Sequence, residues 1–124
     1  LLQVDNVTFF CLSKKLPDYE QDMPARIVNI GAEFETFADV AGVMDALDLV
    51  ITVDTAICHL AGALGRPVWT LIARGPDFRW GLRGETTPWY PTMKLYRQSV
   101  LGDWSGPLQK MVDDLGAMKA NAAM

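Results

Sequence analysis

Among its 124 residues the sequence holds one histidine and two cysteines. That scarcity excludes a four-ligand zinc site and a disulfide framework, so Cys11 and Cys58 are expected as free thiols in a reducing cytoplasm, with no metal. Cationic side chains are also few: 11 Lys and Arg against 15 Asp and Glu leave a net charge of −4. Without a basic cluster there is no electrostatic footprint for nucleic acid. The longest apolar stretches, Leu49 to Ile51 and the run around Val68 to Ala73, fall far short of the ~20 residues of a membrane span. No signal-peptide pattern speaks against the cytoplasmic expectation. Neither G-x-G-x-x-G after the first strand nor G-x-x-x-x-G-K-[ST] occurs, which excludes the common dinucleotide and P-loop readings. A serine elbow and a Cys-His-Asn set are missing as well, so hydrolase chemistry has no support.

What is present is ordinary globular material, half hydrophobic and 21% charged, enough for one domain over residues 1–124. The first residues, Leu1 to Asn6, read as the tail of a helix and a turn. The domain is therefore expected to be a fragment of a longer chain.

The hydrophobic pattern alternates between strand and helix. Val7 to Leu12 and Arg26 to Ile30 are short apolar runs bounded by polar residues, suited to buried strands. Phe37, Val40, Ala41, Met44 and Leu47 recur at three and four residues, which predicts an amphipathic helix ending near Asp48. A third strand follows over Leu49 to Val53. Thr55 can then cap a helix running to Leu64, with Gly65 placed to end it. Pro67 to Ala73 and Met93 to Gln98 add two more strands, and Leu108, Met111, Val112 and Leu115 mark the apolar face of a closing helix. This order predicts an α/β fold, a Rossmann-like doubly wound parallel sheet in three α/β/α layers. In the usual strand order of such sheets the first and third strands are neighbours, with a ligand crevice between their loops.

The segment with most chemical content is the turn from the third strand into the helix, Asp54 to His59. Backbone N–H groups from about Ala56 to Cys58 would lie unpaired at the carboxyl edge of the sheet. A helix dipole adds ~0.3–1 kcal/mol for an anion placed there, or ~2 when partly buried. Ala56, Ala61, Gly62 and Ala63 are small enough to let a helix approach the sheet and a ligand approach the backbone. His59, four residues after Thr55, can donate to a phosphate oxygen. The Asp54 carboxylate would repel a diphosphate, so it is expected either to accept from sugar hydroxyls or to cap the helix. Plain capping by Asp54 and Thr55 is the alternative to any binding role.

Two other places carry polar candidates. Ser13, Lys14 and Lys15 follow the first strand, where a lysine could neutralise a phosphate or simply face solvent. The long stretch Arg74 to Thr92 has no strand or helix period but contains Phe78, Trp80, Trp89 and Tyr90. Its aromatics either pack on the sheet or line a cleft, and exposed ones would favour self-association. Arg79, Arg83 and Arg97 are candidate ligands for phosphate or carboxylate groups by their fork geometry.

Two motifs bring a family into view: DLVITVDTAICHLAGALGRPVW from Asp48 to Trp69, and PDFRW from Pro76 followed by PWYPTMKLYRQ from Pro88 to Gln98. From about Phe9 to Leu115 the sequence resembles the carboxyl-terminal half of the heptosyltransferase-like glycosyltransferases, in particular variants in which that half follows tetratricopeptide repeats. The resemblance implies a GT-B enzyme whose carboxyl-terminal half binds a nucleotide diphosphate sugar, the donor substrate, with no cofactor and no required metal. It implies an inverting transfer, with donor contacts from Asp54, Thr55, the backbone at Ala56 and His59. Ser13 and either Lys14 or Lys15 would sit at the phosphate side, and Gly31 to Glu33 would border the base and ribose. Glu33, Arg79 and Trp80 would line the cleft. The amino-terminal acceptor domain would be the missing partner, so this piece alone is not expected to catalyse transfer. A non-catalytic Rossmann-like binding or interaction module is the competing reading. A receiver-like domain is disfavoured, because no acidic pair follows the first strand.

Overall fold

The computed structural model describes residues 7–12, 27–30, 35–74, 80–81 and 84–122. In chain order the elements are β1 (Phe9–Cys11), β2 (Ile27–Asn29), α1 (Phe37–Ala46), β3 (Val50–Val53), α2 (Ala56–Ala63), β4 (Val68–Ile72), β5 (Met93–Arg97) and α3 (Ser105–Ala122). Among the described residues every strand pairing is parallel: β1 lies beside β2, and β3, β4 and β5 form a second sheet in that order. This is the α/β, Rossmann-like architecture the alternating pattern predicts. The elements fall within a few residues of the expected runs, and α3 extends from Ser105 to Ala122.

The register decides which residues meet. Val50, Val68 and Met93 are cross-strand partners, as are Thr70 and Leu95, so these side chains share one face with Ile72. Against that face pack Val40 and Met44 of α1, Cys58 and Ala61 of α2, and Trp80, forming one buried cluster. The Cys58 thiol, which is in no disulfide, lies with its Sγ 3.4 Å from Thr70 Oγ1. Trp69 and Tyr96 occupy the opposite face, with ring centroids 5.3 Å apart. There α3 packs on β5 and buries Met111 and Leu115. Both faces are thus covered by helix, which explains the near-continuous apolar strands.

One polar tie secures α3. Asp114 Oδ2 accepts from Tyr96 Oη at 2.7 Å and from Lys94 Nζ at 2.8 Å. Burial works against ionisation of Asp114, but these two donors outweigh it and hold the carboxyl below its ordinary range. Burial, reinforced by the bond to Asp114, pushes the Tyr96 hydroxyl far above the usual phenol range.

The helix ends differ in a way that matters for function. At α1, Thr36 Oγ1 accepts from Asp39 N while Asp39 Oδ2 accepts from Thr36 N, a reciprocal capping box. At the end of α2, Gly65 N donates to Gly62 O and Arg66 N to Ala61 O, the paired bonds of a Schellman termination. Gly65 supplies the required left-handed conformation at φ 69°.

The expected adjacency of the first and third strands takes another form. Among the described residues no ladder joins β1 to β3, and the sheet lies in two pieces. With three residues each, β1 and β2 have few backbone groups to offer beyond their own pairing. The pieces are linked through side chains instead, since Leu12 and Ile30, just past the ends of β1 and β2, pack on the shared core. Among the described residues, no helix is long and apolar enough to cross a membrane.

Candidate functional site

Asp54 and Thr55 form the turn between β3 and α2, at the carboxyl edge of the sheet where ligand crevices of such folds open. Thr55 is the N-cap residue, extended at φ −140°, yet its side chain makes no capping bond. Its hydroxyl instead faces Val53 O and Thr52 Oγ1, each at 3.4 Å. The anticipated cap is therefore present in backbone position only. The first turn of α2 contains no acidic residue and begins at the exposed Ala56. The amide groups of a helix's first turn point out of the helix and present a partial positive charge to the crevice. The contrast with α1, closed by its own Asp39, is direct.

Asp54 does not cap the helix. Its Oδ2 accepts from the indole Nε1 of Trp80 at 2.9 Å, and its Oδ1 stands 3.4 Å from His59 Nε2. The His59 ring lies nearly parallel to the Trp80 ring, 5.6 Å between centroids and 18° between planes. The other imidazole nitrogen, Nδ1, is 3.0 Å from Tyr90 Oη. Asp54, His59, Trp80 and Tyr90 thus form one connected cluster. It joins the β3–α2 turn and α2 to two aromatics of the long stretch before β5.

Trp80 is 3% exposed, so of the two expectations for the aromatics it satisfies packing most directly. Tyr90 is half-buried, while Trp89 is 62% exposed. Trp80 is held by β5: Arg97 donates through Nη2 to the Trp80 carbonyl, through Nη1 to Gly81 O at 3.1 Å and through Nε to Gly84 O at 2.7 Å. Gly81 and Gly84, at φ 64° and 95°, turn these carbonyls together. Arg97, a candidate anion ligand from sequence, thus serves as a loop clamp. Its guanidinium is committed to backbone oxygens, and its burial lowers its pKa from the ordinary arginine value.

The small residues near α2 also divide by role. Ala61 is fully buried against the sheet, Ala56 and Ala63 are exposed, and Gly62 faces the Tyr90 ring. A Cβ at Gly62 would stand 2.5 Å from Tyr90 Cγ, so glycine there admits an aromatic ring rather than a ligand. Tyr90 is the member of the cluster that sequence reasoning missed as a His59 partner. The only hint was its place in the second motif, 31 residues from His59. Ser13, Lys14, Lys15, Glu33, Arg79 and Arg83 lie outside the described residues.

Comparison with known proteins supports the family that the motifs suggest. Residues 5–117 match the family model for glycosyltransferase family 9 (heptosyltransferase). Over 77 residues, 62% of the chain, the sequence is 34% identical to Protein FlbA of Caulobacter vibrioides, and the match spans 13% of that protein's length. No solved structure matches the chain. With the family model covering nearly the whole sequence, from before β1 to within α3, the chain belongs to glycosyltransferase family 9, the heptosyltransferase family.

Proposed function

We propose that the chain is the donor-binding, carboxyl-terminal half of a GT-B glycosyltransferase and that it receives the diphosphate of a nucleotide sugar at the start of α2. The observation that carries this reading is the open helix start: Thr55 makes no side-chain cap and the first turn holds no acid. A helix N-terminus of this kind favours a phosphate by geometry and dipole. The objection from Asp54, a negative charge one residue before the cap, loses force because its carboxylate is turned to Trp80 and His59.

The same placement suits the chemistry of transfer. When an acceptor displaces the nucleoside diphosphate from the anomeric carbon, negative charge builds on the departing phosphate oxygen. Fixed N–H donors at that oxygen stabilise the charge without a metal. His59 can contribute its Nε2–H, shared between Asp54 and the phosphate. Asp54 retains lone pairs for sugar hydroxyls, being 41% exposed at its side chain. The acceptor and any catalytic base belong to a partner half, so binding rather than turnover is the function assigned to these residues.

Calorimetric titration with a panel of nucleoside diphosphates and nucleotide sugars tests the reading. At least one is expected to bind more tightly than inorganic phosphate, with Asp54→Ala and His59→Ala each weakening it about tenfold, the loss of one charge-assisted contact of ~1.5 kcal/mol. Binding no tighter than phosphate, or binding indifferent to both substitutions, would leave the non-catalytic interaction module as the better account.

A further inference from the structure

We infer that Tyr90 is a positioning residue for His59, fixing which imidazole nitrogen carries the proton and which way the ring faces. This deepens, and rests on, the reading of the α2 start as the donor site.

The partners of the ring assign its proton. An ionised carboxylate can only accept, and Asp54 Oδ2 is already taken by the indole N–H of Trp80, a group that can only donate. Asp54 Oδ1 therefore faces a protonated Nε2 at 3.4 Å. In the neutral imidazole the remaining nitrogen is an acceptor, and Tyr90 Oη, 3.0 Å from Nδ1, donates to it. Trp80, stacked at 5.6 Å, limits rotation of the ring out of this plane. The Nε2–H is left on the Asp54 side, next to the open first turn of α2, where a phosphate oxygen can share it.

The position of Tyr90 is itself built. It precedes β5 at the amino edge of the sheet, with Met93 N donating to Tyr90 O, whereas Asp54 follows β3 at the carboxyl edge. Helix α2 runs back between these edges, placing His59 nearer the first turn and Gly62 farther along. The Tyr90 ring lies across Gly62, where a Cβ would approach three ring carbons at 2.5, 2.7 and 2.9 Å. Only a residue without a side chain lets the ring lie there and bring its hydroxyl up to Nδ1. Gly62 and Tyr90 thus act as a pair on a third residue.

Because the chain has one histidine, its ring nitrogens can be observed without ambiguity. Long-range 15N–1H spectra of the protein, recorded where the imidazole is neutral, are expected to show His59 as a single Nε2–H form. Tyr90→Phe, which keeps the ring on Gly62 but deletes the hydroxyl, should shift the Nδ1 resonance toward that of an imidazole with no donor. It should also weaken the best-binding nucleoside diphosphate of the panel three- to tenfold. Gly62→Ala, which keeps the hydroxyl but displaces the ring, should perturb the same resonance. Identical His59 nitrogen shifts in wild type and Tyr90→Phe, or a wild-type Nδ1–H form, would overturn the inference. If the shifts change as expected while the wild type binds no nucleotide, Tyr90 still positions His59 and it is the donor-site reading that fails.

Discussion

Replacement of Trp80 by alanine is expected to cost about 3–5 kcal/mol of stability, the range for deleting a buried tryptophan. Against a typical domain stability of ~5–15 kcal/mol, that is enough to lower a urea midpoint sharply or leave the domain partly unfolded. The reason lies in how much converges on this side chain. It fills the cluster between α1, α2 and the sheet, stacks on His59 and donates to Asp54. Trp80→Phe separates packing from chemistry. Phenylalanine retains most of the apolar burial, and the freed Asp54 Oδ2 can turn to water because the side chain is 41% exposed. Its stability should therefore fall much less than in Trp80→Ala, while nucleotide affinity falls through the loosened Asp54 and His59. Equal midpoints for wild type and Trp80→Ala would show that the burial of Trp80 contributes nothing to the fold.

Gly62→Val is the second large effect. A Cβ there meets Tyr90 Cγ at 2.5 Å, well inside contact distance. The obstructing atom is the root of an aromatic ring, which cannot yield without moving the whole side chain. Overpacking of this kind costs ~1–3 kcal/mol. Helix propensity offsets little of it, because valine gains only a few tenths over glycine within α2. Gly62→Ala should be milder, since alanine recovers up to ~1 kcal/mol of propensity. The expected order in thermal melts is wild type, then Gly62→Ala, then Gly62→Val, with Tm falling by ~4–8 °C for each kcal/mol lost in a domain near this size. A Gly62→Val protein as stable as wild type would mean that the Tyr90 ring does not rest there.

The parts of this account that the sequence makes legible are the local ones. The three-and-four spacing of Phe37, Val40, Ala41, Met44 and Leu47 states α1 without ambiguity, and Gly65 states the end of α2, because helix period and left-handed termination are properties of a few neighbouring residues. The Asp54 to His59 turn is legible for the same reason. What is not legible depends on residues far apart in the chain. Nothing near Thr55 shows that its hydroxyl turns away from the helix, and nothing near Asp54 shows that its carboxylate belongs to Trp80, 26 residues on. A buried indole needs a partner for its N–H, which is a signal that a partner exists but not which one. Gly62 is the clearest case: its smallness invites an explanation by close helix packing or ligand approach. The ring that requires it comes from Tyr90, in the segment just before β5.

The two long motifs converge in space for the reason these distances give. The first supplies Asp54, His59 and Gly62, and the second supplies Trp80 and Tyr90. Each residue of one is matched to a residue of the other. Neither motif holds the cluster without its counterpart.

The most direct test is to titrate 15N-labelled protein with the best-binding nucleoside diphosphate sugar and follow every amide. A second opening where a ligand could lodge lies on the α3 side, a cavity of about 280 Å³ whose lining includes Glu85, Arg97, Ser99 and Lys110, with Lys110 paired to Glu85 and Arg97 held by backbone carbonyls. The two sites therefore compete as explanations of any binding observed. Saturable shifts largest at Ala56, Ile57 and Cys58, accompanied by a change in the His59 ring nitrogens, are the result the account predicts; shifts confined to Ser99, Gly106 and Lys110, with α2 silent, would contradict it.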